Sequence, residues 1–192
     1  MPLISGGTLM PLSGRAFYSY AAGSPALGTT TAVHAAAATS TAVTTVSAAI
    51  TNPDVPRNVT ATVAAGTLAD ILAVQVVVTG TDSEDRIITE SLPVFTASTA
   101  GTVTGSKAFK TVTQYVVPAM GGATPTVALG LGAKLGIPRR LTHNTVLRAV
   151  FNGVVEATAP TVVADATNLS GNMATLNSAL NGSAVIIDYF GG

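Results

Sequence analysis

From Pro53 onward the chain is written in short runs of Val, Ile and Thr separated by turn residues, the pattern of β-strands rather than helices. Asn58-Val59-Thr60-Ala61-Thr62-Val63 alternates polar and apolar, which predicts a strand with one face buried. Ile71 to Val78 is almost continuously apolar and predicts a strand covered on both faces. It leads into Gly80-Thr81-Asp82-Ser83-Glu84-Asp85, a polar turn, and the chain returns as Arg86-Ile87-Ile88-Thr89-Glu90-Ser91-Leu92. That stretch predicts a β-hairpin. Further strands are expected over 108–117, 126–129, 145–151, 154–157, 161–164 and 184–190. Pro118, Gly121-Gly122, Pro125, Pro138, Asn152-Gly153 and Asn181-Gly182 punctuate the connections. Asn-Gly accepts the positive φ values of a type I′ turn, so residues 145–157, centred on Asn152-Gly153, make the clearest hairpin. Residues 170–180 are the remaining segment expected to form a helical turn. Regular short strands with turns between them imply an all-β class, an antiparallel β-sandwich or barrel-like domain.

Residues 1–49 read differently from the β-rich core domain expected over 50–192. Gly, Ser and Pro dominate up to Pro25, and an Ala/Thr tract follows from Thr29 to Ile50. Ala35-Ala36-Ala37-Ala38 suits a helix by propensity, but the interleaved Thr and Val are restricted at χ1 in helices. The expectation is an extended N-terminal arm, Ala/Thr-rich, with one or two strands. Met1-Pro2-Leu3-Ile4-Ser5-Gly6-Gly7 lacks the cationic start and apolar run of a signal peptide.

Composition sharpens this picture. The chain has 192 residues, and hydrophobic residues make up an ordinary 47%. Charged residues are only 9%, against about 25% in a typical globular protein. A monomer normally keeps a charged coat for solubility, so a surface this poor in charge is expected to be covered by copies of itself or by a partner. Nine basic and nine acidic residues cancel, and no basic stripe exists to displace counterions from phosphates, so nucleic acid is not an expected partner. The apolar run at Ile71 to Val78 is far shorter than the roughly 20 residues a membrane helix needs, so no membrane is expected either. Glycosylation sequons at Asn58, Asn168 and Asn181 read as chance matches in a Ser/Thr-rich chain.

Chemistry-bearing residues are sparse. With no cysteine, disulfides, thiol catalysis and thiolate metal sites are excluded together. The two histidines, His34 and His143, lie far apart, and no Gly-x-Ser-x-Gly elbow accompanies them. Both read as surface or interface residues. Asp82, Glu84 and Asp85 are the one acidic cluster; calcium would use three such carboxylates, but the EF-hand spacing is absent and Arg86 follows at once. A solvated hairpin tip is the preferred reading. Asp54 and Arg57, in Asn52-Pro53-Asp54-Val55-Pro56-Arg57-Asn58, read as a structural pair in a segment stiffened by two prolines. Gly130-Leu131-Gly132-Ala133-Lys134-Leu135-Gly136 is glycine-rich with a lysine, yet it lacks the Gly-Lys-Ser/Thr of a phosphate loop. Arg139-Arg140 reads as a surface contact at a strand edge. No catalytic, cofactor-binding or metal-ligating residue is assigned, no cofactor is expected, and the chain is read as non-enzymatic.

One set of motifs goes further. Asn52-Pro53-Asp54-Val55-Pro56-Arg57-Asn58-Val59-Thr60 resembles a segment common in small structural proteins of tailed bacteriophages, where Thr-Gly-Thr-Asp in a hairpin and a Thr-Glu-x-Leu strand follow. Here Thr79-Gly80-Thr81-Asp82 and Thr89-Glu90-Ser91-Leu92 come in that order, and residues 105–112, 117–119 and 177–183 fit the same series. The resemblance covers the chain from about residue 50. It implies a virion structural protein similar to the cement or decoration proteins on the major capsid shell. What it implies further is a major capsid protein partner, self-association as a trimer, and a place on the virion capsid surface after synthesis in the host bacterial cytoplasm. The alternatives are a tail-tube or fibre-associated component and, from another class, a carbohydrate-binding module. The latter wants an aromatic platform, and the chain has five Phe, four Tyr and no Trp.

Overall fold

The computed structural model of the protein describes residues 16–191. The Ala/Thr-rich start supplies β1 (Phe17–Gly23), β2 (His34–Ala38) and β3 (Thr44–Val46). Its alanines are strand, not helix, because a later strand offers them a hydrogen-bonded edge; tertiary pairing overrides the weak helical preference of alanine. β4 (Arg57–Ala65) follows the Pro-Asp-Val-Pro segment. After a single 3-10 turn, Leu68–Asp70, come β5 (Val77–Thr81) and β6 (Ile87–Ser91). β7 (Gly101–Phe109) and β8 (Thr111–Val117) meet at Lys110. β9 (Pro125–Gly136) is the longest strand, at 12 residues. β10 (Val146–Phe151), β11 (Val154–Val155) and β12 (Thr161–Val163) follow, and a second 3-10 turn, Leu169–Gly171, precedes β13 (Met173–Thr175) and β14 (Val185–Phe190).

The strands form three antiparallel sheets, and the all-β, sandwich-like expectation holds. A four-stranded sheet has the order β1-β14-β10-β11, and another has the order β3-β8-β5-β6. Between them lies the sheet β12-β13-β9-β4-β7, with β2 also paired to β9. Strand β9 ties the molecule together. Val127 and Leu129 from its first half join a core with Val59, Val63, Val78, Phe109 and Tyr115, all essentially buried. Leu135, near its end, joins a second core with Leu141, Ala174, Val185 and Ile187. Val127, Leu129 and Leu135 share one face by the two-residue period, and at 12 residues the strand is long enough to feed two cores in succession.

Residue 49 marks a change of composition but not of pairing. β1 pairs with β14, β2 with β9 and β3 with β8, and Val33 is buried in the first core. The first 15 residues of the expected arm, and the reading of its start, lie outside the described residues.

Several strand expectations shift. β4 is buried on both faces rather than one, since it is central between β7 and β9. The apolar run from Ile71 pairs regularly only from Val77; Ile71 and Val76 are buried while their backbone is irregular, so the run encodes burial and not a strand. Gly80 and Thr81 belong to β5, and the turn tip is 82–86. The strand expected over 108–117 breaks at Lys110, whose N–H donates to Thr81 O at 2.8 Å. The strand at 126–129 runs on through the glycine-rich segment to Gly136. The expected helical turn at 170–180 is the 3-10 turn Leu169–Gly171, and β13 follows it directly. The Asn152-Gly153 hairpin forms as expected, with φ of 51° and 76°.

Candidate functional site

The Pro-Asp-Val-Pro-Arg-Asn segment builds a buried polar knot around two strand irregularities. Where β4 passes from Asn58 to Val59 and Thr60, both neighbours carry extra residues: Arg57 and Val59 face Leu135 and Leu131 of β9, and Asn58 and Thr60 face Ala108 and Thr104 of β7. A bulge leaves backbone groups without ladder partners, and buried groups of that kind are costly unless satisfied. Asn58, fully buried, donates through Nδ2 to Gly105 O at 3.2 Å and accepts at Oδ1 from Lys134 N at 2.9 Å. Arg57, also fully buried, donates through Nε to Gly132 O at 2.8 Å and through Nη1 to Ala26 O at 2.9 Å, with Asp54 Oδ1 at 3.1 Å. Glu90 Oε1 accepts from Ser106 N and Ser106 Oγ, at 2.5 and 2.9 Å, so it serves the bulge of β7 from the neighbouring sheet. The pair Asp54–Arg57 is therefore an element of architecture. Its sequon neighbour Asn58 has no exposed amide to modify.

The other residues singled out from sequence are dispersed. Asp82 Oδ1 accepts from Glu84 N and Arg86 N, closing the hairpin tip. Glu84 reaches Arg86 and, at 3.7 Å, Arg140, while Asp85 pairs with Lys110 at 2.7 Å. Asp82 and Glu84 share Arg86, while Asp85 turns to Lys110, so the three carboxylates do not converge on one point. Among the described residues no group of three or more His, Asp or Glu side chains gathers as metal ligands would. His34 stands on β2 with its Nδ1 3.0 Å from the Tyr115 hydroxyl. Burial pushes the Tyr115 phenol up to about 12. His143 is exposed and contacts Thr142 Oγ1. Each histidine thus contacts a hydroxyl, His34 that of Tyr115 and His143 that of its neighbour Thr142. Arg139 stacks on the Tyr18 ring, 4.3 Å from its centroid, and Arg140 Nε donates to Thr167 O. Lys134 lies in strand β9, and the segment around it is not a loop.

Sequence reasoning missed two centres. Asn172, fully buried, accepts at Oδ1 from Leu141 N and Asp165 N, and donates through Nδ2 to Asp165 O and Asn168 O. Asp165 in turn accepts from Thr167 N and Asn168 N; the Asn168 bonds foremost hold its carboxyl below the usual range. The second centre is Asp188 on β14, bonded to Arg148 Nε at 2.6 Å. Desolvation raises its pKa, but Ser19 and Arg148 outweigh that and leave it lowered. Among the described residues its Oδ1 meets no donor at bonding distance. Nothing in the spacing of Arg148 and Asp188 announces that pair; only the β10–β14 register brings them together.

Between these ion pairs much of the surface is uncharged. Cross-strand threonine pairs, such as Thr62–Thr102 and Thr81–Thr111, cover sheet faces where Lys and Glu usually stand. Large apolar side chains protrude: Ile87 is 81% exposed, Val154 69% and Val43 65%. The cavities are open to solvent. One of about 200 Å³ lies between Asp82, Arg86 and Arg140 and the Thr167–Ser170 turn, and another of about 430 Å³ lies beside Val154 and Val155. Ligand pockets are commonly enclosed clefts of about 300–1,000 Å³, and neither cavity gathers convergent catalytic groups. Among the described residues no helix is long and apolar enough to cross a membrane. The arrangement is suited to contact through surfaces. Set beside known proteins, the chain matches no family model, no curated protein and no solved structure.

Proposed function

We propose that the chain is a non-enzymatic structural protein of a tailed-bacteriophage virion, a cement or decoration protein that sits on the outer surface of the major capsid shell and stabilises the head. The observation that carries the reading is how the charges are used. Asp54, Asp82, Glu84, Asp85 and Asp188 are each matched by an Arg or Lys, and the sheet faces are left to threonine and exposed aliphatic side chains. Such a surface is adapted to lasting contact with protein. The order of short motifs from Asn52 to Ser183 supports the phage context.

The partners in this reading are the major capsid protein and further copies of the chain. A ligand that binds only the assembled shell stabilises it by RT ln(1 + [L]/Kd), about 2.7 kcal/mol per site at 100 Kd. Many weak contacts within one symmetric oligomer add avidity. A tail-tube or fibre-associated role is the second reading, since a sandwich with exposed sheet faces also suits ring assembly.

Co-sedimentation of the purified protein with phage heads, before and after expansion, with isolated tails alongside, separates the two. Saturable binding to expanded heads is expected, with a raised temperature of head disruption. Binding to tails, or rings formed without heads, overturns the capsid reading.

A further inference from the structure

Strand β6 is the last strand of the β3-β8-β5-β6 sheet, so one side of it has no strand partner among the described residues. The ladder fixes which groups lie there. Leu92 N donates to Val76 O and Asp82 N to Arg86 O, and antiparallel pairs alternate between bonded and unbonded. The pairs 78–90 and 80–88 therefore bond toward β5, and the N–H and C=O groups of Ile87, Thr89 and Ser91 point to the open side. Their side chains would not turn another strand away: Ile87 is 81% exposed, and Thr89 and Ser91 are uncharged. Edges of this kind template pairing with other chains unless the protein blunts them.

Here the blunting comes from the neighbouring sheet. β7 is also the last strand of its sheet, and its bulge passes beside β6. Lys107, in that bulge, donates through Nζ to Thr89 O at 2.7 Å. In return Glu90, the next residue of β6 and 5% exposed, accepts from Lys107 N at 3.3 Å and from Ser106 N and Oγ. The exchange ties the root of the Lys107 side chain to β6 and holds its ammonium over one carbonyl. We propose that Lys107 is a guard: it holds shut an edge that otherwise pairs with the β6 edge of a second copy of the chain. The partner follows from register. Two β6 strands running antiparallel about a two-fold axis at Thr89 match Thr89 with Thr89 and Ile87 with Ser91. That register uses every outward N–H and C=O of residues 87, 89 and 91 on both strands. Its central bonds need the Thr89 carbonyls, which Lys107 occupies, and pairing would bring two ammonium groups together at the axis, where like charges repel. This association is separate from head binding and stands whether or not heads are the partner.

The full chain carrying Lys107→Met tests the guard, since methionine keeps an unbranched apolar side chain and lacks the ammonium. Sedimentation is expected to show a concentration-dependent rise in mass over the unmodified chain, with an unchanged unfolding transition. Lys107→Arg, which restores a cationic donor, is expected to keep the original mass. The absence of cysteine supplies the second arm. Facing residues of a bonded antiparallel pair have Cα atoms about 5.5 Å apart, within reach of a disulfide, so Thr89→Cys reports the register. Mild oxidation is expected to link Thr89→Cys copies in the Lys107→Met background and to leave them unlinked where Lys107 is present. A Lys107→Met chain with the mass of the unmodified one, or linkage that does not depend on Lys107, would overturn the proposal. A rise in mass that comes with loss of the unfolding transition also counts against it, because it traces association to unfolding and not to the edge.

Discussion

At the scale of single residues, the molecule concentrates its polar side chains where the backbone departs from regular pairing. Arg57 is the clearest case. Its guanidinium holds the carbonyls of Gly132 and Ala26 as well as Asp54. Which of these matters most can be decided by magnitude. Removing one partner of a buried charged network leaves the others unsatisfied and costs about 3–5 kcal/mol. The Asp54 side chain, by contrast, is 33% exposed, so solvent screens it and the ion pair contributes about 1 kcal/mol or less. Arg57→Met is therefore expected to lower stability by about 3–5 kcal/mol in urea unfolding, and Asp54→Asn by about 1 kcal/mol. Equal losses in the two variants would show that the ion pair, and not the carbonyl bonds, holds the knot. Asp54 and Arg57 were legible in the sequence as a pair. Asn58, Glu90 and Asn172 were not, because their partners are mostly backbone atoms, and a sequence does not mark which amides a fold will strand.

At the scale of elements, β9 carries the main lesson. Its glycines are not there for a loop. A Cβ on Gly132 would collide with the Asn58 amide, and one on Gly130 with the backbone of Thr29 and Thr30. Strand interiors use glycine where another chain segment approaches closely. Gly132→Ala is expected to push Asn58 from its bonds to Gly105 and Lys134 and to cost about 1–3 kcal/mol, the usual range for overpacking. Thermal unfolding checks this, and a transition unchanged within about 1 °C would mean that Asn58 moves freely. The same logic explains why the strand expected from sequence stopped at Leu129. Glycine contributes no apolar signal, so the alternation that marks a strand disappears where packing is tightest.

At the scale of the whole molecule, residues 17–46 supply a strand to each of the three sheets. Removing them strips β1 from β14, β2 from β9 and β3 from β8, and takes the carbonyl of Ala26 from Arg57. Exposed strand edges template association with other chains. Deletion of residues 1–49 is therefore expected to give an aggregating product without a cooperative transition. A soluble, cooperatively unfolding 50–192 fragment would show that the early strands are accessory. The low charge of the chain acts at this scale as well, since threonine pairs keep the sheets wet without repelling a second copy.

The sequence by itself determined the class of fold and the local signs that lead to it: the strand periodicity, the Asn152-Gly153 hairpin, a polar hairpin tip carrying Asp82, Glu84 and Asp85, and the lack of any thiol. Those are local properties, set by side-chain alternation and by backbone conformations that a few residues accept. The tertiary structure alone decided the rest. That β9 serves two cores, that Arg148 covers Asp188, and that an Ala-rich stretch becomes strand all depend on partners dozens of residues away. A strand is completed only by its neighbour, and the choice of neighbour is made when apolar faces are buried together, which no window of local sequence contains.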